Sequence, residues 1–221
     1  TNLRLLGADH PMQVVTVTSA QPGEGKSTVS AHLAIAATHM DQRVLLIDAD
    51  MRQPTQHEIF GLSGRMGLSN IITRNQPDDL DVLQSVPDNP NLKVLCAGVT
   101  PPAPGGLLSS QRMRTLVQNL RQQFDLIIID TPPMMGITDA KLASTHADGL
   151  LMVTQIGRTS RSDIKRVLSD LQNTVQAPLL GLVLNGVDPR NSGSYYNRYY
   201  YSNYNPQRPR ERAGYSTVPN R

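Results

Sequence analysis

Val14-Val15-Thr16-Val17-Thr18-Ser19-Ala20-Gln21-Pro22-Gly23-Glu24-Gly25-Lys26-Ser27-Thr28 decides how the rest of the chain is read. Val14 to Thr18 is β-branched and apolar, the signature of a short buried strand. Ser27 to Met40 predicts a helix, with Val29, Leu33, Ala36 and Ala37 spaced for one face. A strand, a glycine-bearing loop, Gly-Lys-Ser and a helix form the mechanical context of a phosphate-binding loop. Gly23 and Gly25 let backbone N–H groups curl around phosphate oxygens, and the helix start adds its dipole. Lys26 is expected to reach β- and γ-phosphates, and the Ser27 hydroxyl to ligate Mg²⁺. Gln21, Pro22, Glu24 and Thr28 complete the loop around a nucleotide. Ala20 stands where the first glycine of such loops usually stands. The competing reading is a chance glycine-rich turn, which the correctly placed strand and helix argue against.

Two acid clusters lie further along. Val44 to Ile47 reads as a second strand and ends in Asp48-Ala49-Asp50; Leu126 to Ile129 reads as another and ends in Asp130-Thr131-Pro132-Pro133. In open α/β sheets ligands bind outside the carboxyl ends of strands. Three carboxylates there are expected to converge on the phosphate loop, with Asp48 and Asp130 serving Mg²⁺ directly or through its waters. A single strand-end Asp is usually a turn cap; three beside a phosphate loop favour metal and catalysis.

The remaining pattern alternates. Short helices are predicted near Gln56–Phe60 and Leu68–Ile72, then a strand at Leu92–Cys96. A loop is predicted through Pro101, Pro102, Pro104, Gly105 and Gly106. A helix follows from about Ser109 to Gln123, capped by Ser109 or Ser110. A helix near Asp139–Ser144, a strand at Gly149–Thr154, a helix at about Ser160–Thr174 and a strand at Leu180–Leu184 end the series. Strands alternating with helices imply a mostly parallel sheet covered on both faces.

All seven tyrosines of the 221 residues fall after Gly193: Tyr195, Tyr196, Tyr199, Tyr200, Tyr201, Tyr204 and Tyr215. From Pro189 onward six arginines face one acid, an excess of +5, so the preceding body carries −2 of the chain's net +3. A basic body face for nucleic acid is therefore not expected. The apolar periodicity stops at Pro189, which divides the chain into a domain, 1–188, and a tail, 189–221, expected to be flexible. The single Cys96 excludes an internal disulfide and suits a reducing cytosol. No apolar run approaches the roughly 20 residues that span a bilayer. The chain starts at Thr1 without a methionine, as a processed product or a fragment does.

Three segments together carry a resemblance. Ser19 to Thr28, Val44-Leu45-Leu46-Ile47-Asp48-Ala49-Asp50-Met51-Arg52-Gln53-Pro54, and Phe124-Asp125-Leu126-Ile127-Ile128-Ile129-Asp130-Thr131-Pro132-Pro133 resemble the Walker A, A′ and B motifs of the bacterial tyrosine kinases. These are P-loop NTPases, the cytoplasmic ATPase domains of capsule and exopolysaccharide export proteins. The tail resembles that family's tyrosine cluster, and Ala20 fits its loop. The resemblance implies ATP and Mg²⁺ as cofactors and transfer of the γ-phosphoryl to Tyr195, Tyr196, Tyr199, Tyr200, Tyr201 and Tyr204. It also implies a homo-oligomeric ring, in the full-length form, in which one subunit's tail enters its neighbour's site. The expected partners are an upstream membrane segment or separate membrane activator, a tyrosine phosphatase and protein substrates of polysaccharide synthesis. The expected location is the cytoplasmic face of the plasma membrane.

Within that frame Lys26, Asp48, Asp50 and Asp130 are the candidate catalytic residues. Asp50 is the candidate to orient, and deprotonate, the incoming phenol. Asn185 is expected either to contact adenine or to form a turn. Arg52 and Arg158 are either phosphate contacts or surface arginines, the five histidines show no metal-ligand spacing, and Cys96 packs as a small hydrophobe. Two other functions fit part of the pattern. A partition-type ATPase shares the fold, but usually carries a second lysine where Gln21-Pro22 stands. A non-catalytic scaffold with a tyrosine-rich tail has no need of the loop lysine and three aspartates.

Overall fold

A computed structural model describes residues 12–74, 80–174 and 177–187. The six tyrosines expected as acceptors, Tyr215 and the boundary at 188/189 lie outside the described residues. Seven strands form one sheet: β1 (Val14–Ser19), β2 (Val44–Asp48), β3 (Gln84–Val86), β4 (Asn89–Leu95), β5 (Leu126–Asp130), β6 (Gly149–Gln155) and β7 (Leu179–Asn185). Their order is β3-β4-β2-β5-β1-β6-β7. Every pairing is parallel except that of β3 with β4. The helices are α1 (Lys26–Thr38), α2 (Gln56–Phe60), α3 (Leu68–Arg74), α4 (Pro104–Leu108), α5 (Gln111–Arg121), α6 (Asp139–Ser144) and α7 (Arg161–Thr174).

β1, β2 and β5 are buried along their whole length, which is why they read as unbroken apolar runs. Alternate residues still serve opposite faces. Leu45, Ile47, Ile127 and Ile129 pack with Leu68 and Ile72 of α3 and with Met113, Leu116 and Leu120 of α5. Val44, Leu46, Ile128, Val15 and Val17 pack on the other face with Ala31, Ala34 and Ala37 of α1. A third cluster joins Leu150 and Met152 of β6 to Val167 and Leu171 of α7. The expectation of a mostly parallel sheet between helical layers is met.

Three local expectations change. Of the four residues expected on the inner face of α1, Ala37 is buried and Val29 and Leu33 pack against the core, but Ala36 points to solvent, and Ser30, Ala31, Ala34 and Thr38 complete the buried face. The phase of the helix is set by the phosphate loop that leads into it and by small residues that let it lie close on the sheet, not by its largest apolar side chains. The predicted loop at 101–106 contains the start of α4, with Pro104 in its first turn, where a missing N–H costs nothing. Leu108, fully buried, anchors that helix. β3 escapes the sequence because Gln84-Ser85-Val86 is short and polar. It pairs at the sheet edge through a turn in which Asp88 takes φ 60°. Of the two predicted caps, Ser110 is the one used: its hydroxyl accepts from the Met113 N–H at 3.1 Å.

A phosphate loop over a buried acid cluster

The loop between β1 and α1 is built on two left-handed glycines, Gly23 (φ 77°) and Gly25 (φ 89°). A Cβ on Gly25 would also overlap Asn185 Nδ2, and one on Gly23 would displace the Arg158 guanidinium, 2.8 Å away at Nη1. Successive N–H groups in such turns line a concavity for anions.

Contacts from distant elements hold the loop in place. Glu24 is fully buried within it. One of its carboxylate oxygens accepts from the Gln21 N–H at 2.8 Å and the other from the Thr159 hydroxyl. Thr159 Oγ1 in turn accepts from the Gln155 N–H at 2.8 Å. The Gln21 amide donates to Asp163 at 2.9 Å, Arg158 Nη1 donates to the Gly23 carbonyl at 3.2 Å, and Asn185 Nδ2 donates to the Glu24 carbonyl at 3.0 Å. Pro22 and Thr28 are exposed along the loop. Glu24 and Thr159 carried no sequence signal beyond the loop itself, since their contact joins positions 135 residues apart.

The acids come together by register. β2 and β5 are neighbours, and Asp48 stands directly opposite Asp130. Both are fully buried, and Asp50 nearly so. Lys26 Nζ lies 2.8 Å from Asp50 Oδ2 and 3.0 Å from Ser27 Oγ. Burial alone would lower the Lys26 pKa, but Asp130, Asp50 and Asp48 outweigh it and hold the ammonium above an ordinary lysine. Asp48 accepts from the Thr55 and Gln56 N–H groups on Oδ2, both at 3.0 Å, and from the Asp50 N–H on Oδ1 at 3.2 Å. Burial, and then the charge of Asp130, push its carboxyl up to about 7 despite those bonds. Asp130 is raised by burial too, against the pull of Lys26, the Ser27 hydroxyl and the Gln56 amide. Ser30 Oγ donates to Asp130 Oδ1 at 3.3 Å, and Gln56 Nε2 to Asp130 Oδ2 at 2.7 Å.

Lys26, Ser27, Asp48, Asp50 and Asp130 are thus one contiguous polar cluster under the loop. Asn185 sits against the backbone of the same loop. Arg52 is turned away and clasps the buried Asp139 at 2.8 and 3.3 Å, whereas Arg158 lies on the loop. Among the described residues no three His, Cys, Asp or Glu side chains form a metal cage. The cluster fits Mg²⁺ nonetheless: that ion takes one or two protein oxygens and completes its octahedron with phosphate and water. Ser27 and two buried acids beside a phosphate concavity offer such a set. Gln56, which no sequence signal marked, is the residue that touches the most of it.

Residues 11–190 match the ParA family described as NUBPL iron-transfer P-loop NTPases. The chain is 37% identical over 186 residues to the tyrosine-protein kinase YwqD of Bacillus subtilis strain 168, covering 84% of this chain and 77% of that protein. It is 33% identical over 201 residues to the putative tyrosine-protein kinase CapB of Staphylococcus aureus, covering 91% and 86%. The kinase domain of the Escherichia coli tyrosine kinase ETK superposes with a TM-score of 0.80 at 32% identity, over 87% of this chain and 74% of that one. The family match takes in the phosphate loop and both acid-bearing strands, and by its likeness to these kinases the chain belongs to the bacterial tyrosine-protein kinase family.

Proposed function

We propose that this chain transfers the γ-phosphoryl group of ATP, with Mg²⁺, to the tyrosines of its own tail, Tyr195, Tyr196, Tyr199, Tyr200, Tyr201 and Tyr204. The observation that carries the reading is the buried Lys26–Asp50 ion pair under the loop. It joins the residue expected to bind phosphate to the residue expected to receive the phenol. Bound Mg²⁺ supplies charge neutralisation on the phosphate oxygens, and Ser27, Asp48 and Asp130 are the residues that would hold it or its waters.

Lys26 exchanges Asp50 for phosphate oxygens, which frees the Asp50 carboxylate to accept from a tyrosine hydroxyl. The phenol oxygen forms the new P–O bond as its proton passes to Asp50 and on to solvent, the bond to the β-phosphate oxygen breaks, and ADP leaves. A phenol has a pKa of about 10, so Asp50 serves first to orient it. The loose transition state of phosphoryl transfer asks for positioning and electrostatics more than for a strong base. The loop tethered by Glu24, Asn185 and Arg158 supplies that positioning.

Kinship with tyrosine kinases and the tyrosine-dense tail support delivery of the tail between subunits of a ring in the full-length protein. They also support a place at the cytoplasmic membrane face beside a membrane segment or activator, with a phosphatase reversing the reaction. The process served is capsule or exopolysaccharide export. Incubation with Mg·ATP and phosphate mapping by mass spectrometry is the test, beside Lys26→Met. Phosphotyrosine between 195 and 204 in the parent alone is the expected result. ATP hydrolysis with an unmodified tail would instead indicate a partition-type ATPase.

A further inference from the structure

Gln56 is fully buried and bonded to each of the three residues expected to hold a divalent cation. Its backbone N–H donates to Asp48 Oδ2 at 3.0 Å. Its side-chain Nε2 donates to Asp130 Oδ2 at 2.7 Å and to the Ser27 carbonyl at 3.1 Å. The orientation of the carboxamide is therefore fixed. Turned over, its oxygen would face a carboxylate and a carbonyl, neither of which donates. With Nε2 committed, Oε1 points the other way. It is buried, and among the described residues no protein donor reaches it. Buried acceptors are nearly always paired, and an exception calls for a reason.

We propose that Gln56 is a positioning residue for the Mg²⁺ site, and that Oε1 accepts a hydrogen bond from a water in the ion's shell. The inference rests on the nucleotide–Mg²⁺ reading given above. Mg²⁺ gives up its water reluctantly and is recognised through those waters. Outer partners of this kind fix ligand orientation and tune affinity. Here one side chain does both: Nε2 holds Asp130 toward Ser27, and Oε1 offers an acceptor that only a donor brought by the ion satisfies.

Calorimetric titration of Mg²⁺ into the protein saturated with ADP tests this, with ADP binding in EDTA as the second readout. Gln56→Met keeps the length and removes both polar atoms. Its Mg²⁺ dissociation constant should rise about tenfold to a hundredfold, while metal-free ADP affinity stays at the parent value. Gln56→Glu keeps an acceptor and the volume but loses the Nε2 donor to Asp130 and the Ser27 carbonyl, so its Mg²⁺ affinity should fall less than that of Gln56→Met. Unchanged Mg²⁺ affinity in Gln56→Met overturns the proposal. So does an equal loss in both variants, which would leave only the clamp on Asp130. If Gln56→Met fails to fold by circular dichroism, Gln56→Leu takes its place, and unchanged Mg²⁺ affinity there overturns it. A parent that binds no ADP sinks the nucleotide reading instead.

Discussion

At the scale of single residues, the acid cluster sets the behaviour of the nucleotide-free domain. Asp48 has its folded pKa raised to about 7, by burial and then by Asp130, above the value of about 3.9 in an unfolded chain. The folded state therefore binds the proton more readily. Stability from this group is fully present below pH 4 and is lost as pH rises through 7. Asp130→Asn removes the neighbouring charge yet retains an oxygen for the Gln56 amide. Without nucleotide or Mg²⁺, thermal unfolding should show that the variant loses less stability than the parent between pH 4 and pH 8, by about 1–2 kcal/mol. A loss of equal size at both pH values would contradict the account. The same substitution should abolish the added protection from Mg·ATP. Much of this was legible beforehand, because Asp48, Asp50 and Asp130 end apolar runs. The pairing of Asp50 with Lys26 was not, since it depends on where the chain turns after β2.

At the scale of elements, the phosphate loop is held in shape chiefly by the β6–α7 turn. Buried Glu24 is satisfied by the Thr159 hydroxyl and the Gln21 N–H, and Arg158 and Asp163 bond the same loop from either side of Thr159. Thr159→Val keeps the shape and leaves a buried carboxylate oxygen short of a donor. A stability loss of about 1–3 kcal/mol is expected, read as a lower urea midpoint at constant slope. Nucleotide affinity should fall with it, because the loop loses its preorganisation. If the midpoint held while affinity fell, Thr159 would be touching nucleotide rather than bracing the loop. The strands and longer helices could be read from periodicity to within two or three residues. β3 and α4 could not: one is too short and polar, the other opens on Pro-Gly-Gly, and both exist because a sheet edge and a buried Leu108 accept them.

At the scale of the molecule, charge is divided between body and tail. Residues 189–221 carry +5 and the preceding body −2. Each phosphotyrosine adds about −1.5 to −2 at pH 7, so three bring the tail to about zero and four reverse its sign. Phosphorylation is then expected to release the tail from acidic surfaces and open the assembly. Light-scattering mass at matched salt, on the phosphorylated and unmodified full-length protein, checks this; identical masses would refute it.

The sequence by itself determined the chemistry and its neighbourhood. Glycines that only a phosphate loop needs, a lysine after them and aspartates at strand ends are local facts, readable because loop, strand and helix each impose their own period. The tertiary structure decided what crosses the sheet. Asp48 meets Asp130 because β5 lies beside β2, Glu24 meets Thr159 from 135 residues away, and Gln56 reaches three strand-end and loop residues at once. Those contacts follow from strand order and register, which are fixed when opposite faces of one sheet bury two cores together. No stretch of a dozen residues carries that information.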